Sequence, residues 1–120
     1  MSFIALATNQ FEAVAEFYEE MLGLPVVDQW DRARGRGRRF DLGGMQLEIL
    51  DNQRVPEPMN LGPSRNSVHV VVEVSDIDDS HTQLRERGNK PPAVEDTSWG
   101  ARLFRLNDPD GVAVTFLQWT

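Results

Sequence analysis

Trp99-Gly100-Ala101-Arg102-Leu103-Phe104-Arg105-Leu106-Asn107-Asp108-Pro109-Asp110-Gly111-Val112-Ala113-Val114-Thr115-Phe116 is the stretch that decides how this chain folds. It predicts two strands joined by a tight Asp-Pro-Asp-Gly turn, because proline presets one turn dihedral and glycine permits the next. A weaker form of the pattern comes earlier. Arg39-Phe40-Asp41-Leu42-Gly43-Gly44-Met45-Gln46-Leu47-Glu48-Ile49-Leu50 is again strand, glycine turn, strand. A pattern written twice predicts a duplicated fold.

The residues in front of each hairpin agree. A short apolar run at 3–7 suits a buried strand, and Asn9 is placed to cap a helix. Phe11, Val14, Ala15, Phe17, Tyr18, Met21 and Leu22 then recur at helical spacing until Gly23 and Pro25 end the helix. Strands are predicted at 25–30, 36–42 and 45–50. In the second half a β-branched run at 68–74 predicts a strand, and Ser75 or Asp76 caps a helix carrying Ile77, His81 and Leu84. Strands beginning at 90–94, then at 101–106 and 112–119, complete it. Both halves read β-α-β-β-β. The spacing is the check: Phe11 and Ile77, which open the two helices, lie 66 positions apart, and Gly44 and Gly111 lie 67 apart. The expected fold is therefore α+β, a single domain of two tandem βαβββ modules at 1–52 and 67–120. The connection at 53–66 carries Pro56, Pro58 and Pro63 without periodicity, and reads as a plain linker or a lid.

Composition narrows the function. The chain has 120 residues and no cysteine, so disulfides, thiolate nucleophiles and Cys-ligated metal centres are excluded. No run approaches the ~18 apolar residues of a membrane span, and no signal peptide is visible, so a cytoplasmic location without membrane partners is expected. The net charge of −7 disfavours nucleic acid, which requires a basic surface. The one basic cluster, five arginines from Arg32 to Arg39 interleaved with Gly35 and Gly37, reads as solvated arginines along a hairpin strand. The acidity suits a cationic ligand.

The two modules, the Phe17-Tyr18…Leu22-Gly23-Leu24 ending of the first helix and the Trp99-Gly100…Asp108-Pro109-Asp110-Gly111 ending resemble the vicinal oxygen chelate superfamily over essentially the full chain. That group includes glyoxalase I, extradiol dioxygenases, fosfomycin-resistance enzymes and bleomycin-resistance proteins. The resemblance implies a curled mixed sheet in which each module supplies one metal ligand from its first strand and one from its last. His69 falls at the histidine position of the second module, and Glu48 at the glutamate position of the first. Their counterparts are Phe3 and Thr115, which are not ligands for a divalent ion. Two ligands of four imply an incomplete metal site and no cofactor, with a divalent metal on Glu48 and His69 as the alternative.

Without metal, Glu48 and His69 read as an acid–base pair, as polar groups of a pocket, or as a hydrogen-bonded pair serving only the core. His81, in a polar helical run, reads as a surface histidine. Trp30, Phe40, Trp99 and Arg102, with Glu48 and His69, form the expected ligand-binding set. The expected function is a protein resembling the bleomycin-resistance group. It binds a small cationic or aromatic molecule in a cleft between modules, and by resemblance it is a homodimer. The alternative is a lyase, isomerase or dioxygenase using Glu48 and His69 catalytically.

Overall fold

The first strand of each half pairs in parallel with the last strand of that half, and a helix makes the crossover that this pairing requires. The computed structural model describes residues 2–62 and 67–120. The chain divides into two compact units, Met1–Pro63 and Ser64–Thr120. The first holds β1 (Phe3–Thr8), α1 (Phe11–Glu16), β2 (Val26–Arg32), β3 (Gly35–Asp41) and β4 (Gln46–Asp51), with sheet order β1-β4-β3-β2. The second holds β5 (His69–Glu73), α2 (Ile77–Glu86), β6 (Glu95–Asp96), β7 (Ala101–Asn107) and β8 (Ala113–Trp119), with order β5-β8-β7-β6. The β-α-β-β-β order is thus present twice. No helix among the described residues is long and apolar enough to cross a membrane.

The duplication reaches individual hydrogen bonds. Asp41 Oδ1 accepts from the backbone N–H of Gly43 at 2.7 Å, turning the chain between β3 and β4. Asp108, 67 positions later, accepts from Asp110 N–H at 2.8 Å and Val112 N–H at 2.9 Å between β7 and β8. Gly111 donates to the Asp108 carbonyl at 2.9 Å with φ at 84°, a left-handed conformation that excludes most side chains.

Side chains alternate across each sheet, so each strand serves two faces. In the first unit Phe40, Leu47 and Ile49 are buried beneath the helix with Phe11, Val14 and Tyr18. The Tyr18 and Phe40 rings lie 5.9 Å apart. Burying one such side chain stabilises the fold by roughly 1.5–3 kcal/mol. In the second unit Ile77 and Leu84 of α2 are buried, as are Val114 and the stacked rings of Phe104 and Phe116 at 5.2 Å.

Several local expectations are corrected. The first helix does not continue regularly to Leu22: Phe17–Met21 is a π-helical turn, with Leu22 N–H reaching back to the Phe17 carbonyl at 2.9 Å. Asn9 does not cap it, because its Oδ1 accepts from Asn52 Nδ2, and Thr8 Oγ1 receives the Gln10 N–H instead. Asp76 does cap α2, accepting from Asp79 N–H at 3.1 Å. The segment 90–94 is not a strand. Pro91 and Pro92 have no N–H to donate to a ladder, and β6 shrinks to Glu95–Asp96. His81 is half-buried, edge-on to Phe104 at 5.1 Å, with Nε2 3.0 Å from the Pro92 carbonyl. The connection begins as one 3₁₀ turn, and the buried Asn52 side chain holds both the N–H and the C=O of Met59. Residues 63–66 of the expected connection lie outside the described residues, and with them any lid they form.

Only Arg32 and Arg34 of the arginine run are exposed as expected. Arg36 and Arg38 turn to the helix face, where Arg36 meets Asp51 at 3.0 Å and lies 4.5 Å over the Phe11 ring, and Arg38 meets Glu19 at 3.4 Å. On the opposite face Trp30 lies flat across Gly37, its register partner, so a Cβ there would sit 2.4 Å from Trp30 Cζ2. Gly37→Ala is expected to destabilise the fold by about 1–3 kcal/mol in urea denaturation. Most of that cost should vanish in a Trp30→Ala background; a cost of equal size in both backgrounds would show that Gly37 is not a seat for the indole.

Candidate functional site

The face of each sheet that points away from its helix gathers most of the residues singled out by sequence. In the first unit the register sets Phe3 beside Gln46, Ala5 beside Glu48, Glu48 beside Arg39, and Arg39 beside Asp28. Glu48 is buried, and its Oε1 lies 3.9 Å from Arg39 Nη2. That guanidinium also lies 4.0 Å over the Phe3 ring and 5.8 Å from the Trp30 ring. Its Nε is buried and has no hydrogen-bond partner. Phe3, Trp30 and Glu48 are therefore brought together, around an arginine. Phe40 is not among them: its ring is fully buried on the helix face against Tyr18.

The second unit repeats the arrangement with different chemistry. Thr115 pairs with Val71 on one side and Arg105 on the other, and Arg105 Nε donates to Thr115 Oγ1 at 2.9 Å. His69 lies on the edge strand with Ala113 as register partner, on the same face as Thr115. Trp99 and Trp119 meet edge-on at 5.7 Å, and Trp119 Nε1 donates to Glu73 Oε1 at 3.0 Å. Arg102 points the other way. On the helix face it holds Asp78 of α2 at 2.9 Å and Asp96 of β6 at 3.0 Å, which makes it a clamp between elements. Glu48 belongs to the first unit and His69 to the second.

Arg39 and Arg105 are the residues that reading the sequence missed. The signal was present: they lie 66 positions apart, the same offset that separates Phe11 from Ile77. Each guanidinium stands next to the position where the superfamily resemblance implies a carboxylate ligand.

That placement bears on metal binding. A divalent ion needs converging imidazole, carboxylate or thiolate donors. Here Glu48 already faces a cation, Thr115 is hydrogen-bonded to a second cation, and Phe3 offers a hydrocarbon ring under Arg39. Among the described residues no three His, Asp or Glu side chains gather to hold a metal ion.

Burial pushes the Glu48 carboxyl above its ordinary value of 4.5; Arg39 pulls it back and Asp28 adds to the rise. Because the folded state holds this proton more tightly, it binds more protons than the unfolded state above pH 4.5. The contribution is thus fully present below that value and is lost as pH rises through the folded pKa. Glu48→Gln is expected to remove this loss, so the stability difference in favour of the variant grows with pH in thermal melts from pH 4.5 upward. A difference that is flat or shrinks with pH would contradict the burial account.

Fold, register and site chemistry together define a duplicated βαβββ protein. A family model described as the Glyoxalase/Bleomycin resistance protein/Dioxygenase superfamily matches residues 1–116, and this chain belongs to that superfamily. The uncharacterized protein YraH of Bacillus subtilis (strain 168) is 29% identical over 117 residues, covering 89% of this chain and 88% of YraH. A glyoxalase/bleomycin resistance protein/dioxygenase from Nocardioides, of known crystal structure, is 30% identical with a TM-score of 0.73, over 98% of this chain and 82% of that one. TnmS3, an antibiotic binding protein from Streptomyces sp. CB03234, shares the fold at 21% identity and a TM-score of 0.68, over 98% of this chain and 93% of its own.

Proposed function

We propose that this chain is a binding protein that sequesters a small organic molecule with aromatic character on the helix-free faces of its sheets, without a divalent metal. The observation that carries the reading is the Arg39 guanidinium lying between Phe3 at 4.0 Å and Glu48 at 3.9 Å. A resident cation beside Glu48 raises the electrostatic cost of a second, divalent one, and no compensating donor is supplied by phenylalanine or by the occupied threonine hydroxyl. Trp30, Trp99 and Trp119 supply flat apolar area for a ring to stack on. TnmS3, named as an antibiotic binding protein, is an instance of this fold hosting ligand capture. Equilibrium dialysis of the purified protein against zinc, nickel or manganese should leave it with far less than one equivalent. Stoichiometric retention would overturn the reading.

The second reading is an enzyme of the same superfamily, and Glu48 favours it, because a buried carboxyl with raised proton affinity suits general acid–base catalysis. Glu48→Gln would then abolish turnover while leaving ligand capture nearly unchanged.

A homodimer belongs to the proposal. The edge strands β1 and β5 leave Phe3, Ile4 and Val71 exposed, a combination that invites pairing with a second copy. Sedimentation should give a dimer that Ile4→Lys or Val71→Lys shifts toward monomer; a wild-type monomer at micromolar concentration would remove dimerisation from the proposal.

A further inference from the structure

The helix-free face of the second unit carries a cation and an aromatic pair at opposite ends of one short path. Arg105 is exposed, donates Nε to the buried Thr115 hydroxyl, and forms no ion pair among the described residues. Arg36, Arg38, Arg39, Arg54 and Arg102, by contrast, each face a carboxylate. The single bond from Arg105 Nε to Thr115 orients the guanidinium and leaves its Nη groups available as a fork, the geometry that takes a carboxylate with two parallel hydrogen bonds. Four residues back along β7 stands Ala101, register partner of Trp119, which a strand's rise places about 13 Å away. Trp119 and Trp99 are 56% and 57% exposed there, with their rings in contact. Leu103 and Leu117, register partners of each other, floor the path between the two ends.

We infer that this face is a binding site for an elongated aromatic acid, its carboxylate on Arg105 and its rings over Leu103 and Leu117 against Trp99 and Trp119. The inference rests on the small-molecule binding reading above and names its ligand class. Charge sets the direction in which the acid lies. Glu73 occupies the tryptophan end, where its Oε1 accepts from Trp119 Nε1, so an acid bound the other way round would set its carboxylate against that of Glu73. The same pattern revises the expected ligand charge. The net charge of −7 suggested a cationic ligand, yet the helix-free faces of both units present guanidinium groups, at Arg39 and Arg105. A local cation governs a contact at hydrogen-bond distance more strongly than distant surface carboxylates, which water and salt screen.

The test compares 2-anthracenecarboxylate with its primary amide, by titration calorimetry and tryptophan quenching, on the full chain. The two probes share their rings and differ in charge. The acid is expected to bind about tenfold or more tightly than the amide, as a charge-assisted pair gives over a neutral one. Arg105→Met should erase that preference, Arg105→Lys should keep part of it, and Trp119→Leu should weaken both probes together. Arg85→Met, on the exposed side of α2, should leave the preference intact. Equal affinity for acid and amide overturns the inference, as does an acid preference that survives Arg105→Met, or no binding of the acid at all. A preference erased by Arg39→Met alone also overturns it, by moving the acid to the first unit. None of these outcomes touches the metal dialysis result, so a failure of the ligand class is distinguishable from a failure of the metal-free reading.

Discussion

Two aspartates, Asp41 and Asp108, hold the turns on which the rest of this structure depends. Each folds its side chain back onto backbone N–H groups of its own turn, Gly43 in one module and Asp110 and Val112 in the other. The turn sets where β3 meets β4 and where β7 meets β8. Register is decisive because side chains alternate with a period of two, and a slip of one residue would exchange the two faces of a strand. With the register as it stands, Phe40, Leu47 and Ile49 go under a helix while Arg39 and Glu48 go to the other face. A slip would bury arginine in the core and expose the aromatic residues.

The two modules have kept this geometry and changed its chemistry. In the first, a buried carboxylate faces a guanidinium packed on phenylalanine. In the second, a buried threonine hydroxyl holds a guanidinium that is left without a carboxylate among the described residues. A fold whose sheets offer equivalent positions twice can carry a metal when four donors are supplied, or an organic ion when arginine and neutral groups replace them. Phe3 and Thr115 stand at the two positions where the resemblance implies further donors. Arg39 and Arg105 accompany them, one beside Glu48 and the other hydrogen-bonded to Thr115.

Reading the sequence went wrong where one residue type serves two environments. Phe40 looked like a pocket aromatic because it lies on a hairpin strand, yet its parity matches Leu47, which places it under Tyr18. Arg102, expected in the ligand-binding set, faces α2 and grips Asp78. The Arg32 to Arg39 run looked uniformly solvated, and only strand alternation separates Arg36 and Arg38, paired under the helix, from Arg39 beside Glu48. The face that a strand residue occupies depends on which side the helix packs, and that packing is a long-range event. Local periodicity carries no trace of it.

The sequence by itself determined the duplication, the order of the elements and the hairpin turns. These follow from local rules: proline and glycine dihedrals, helical spacing, and an offset of 66 to 67 positions that any reader can count. Tertiary structure alone decided which side chains share a face and which charges meet. It set the Arg39 guanidinium 3.9 Å from Glu48, hung Arg105 on Thr115, and laid Trp30 across Gly37. The physical reason is distance along the chain. Cross-strand neighbours are many residues apart in sequence, so their pairing exists only once turns, register and helix packing have all been fixed together.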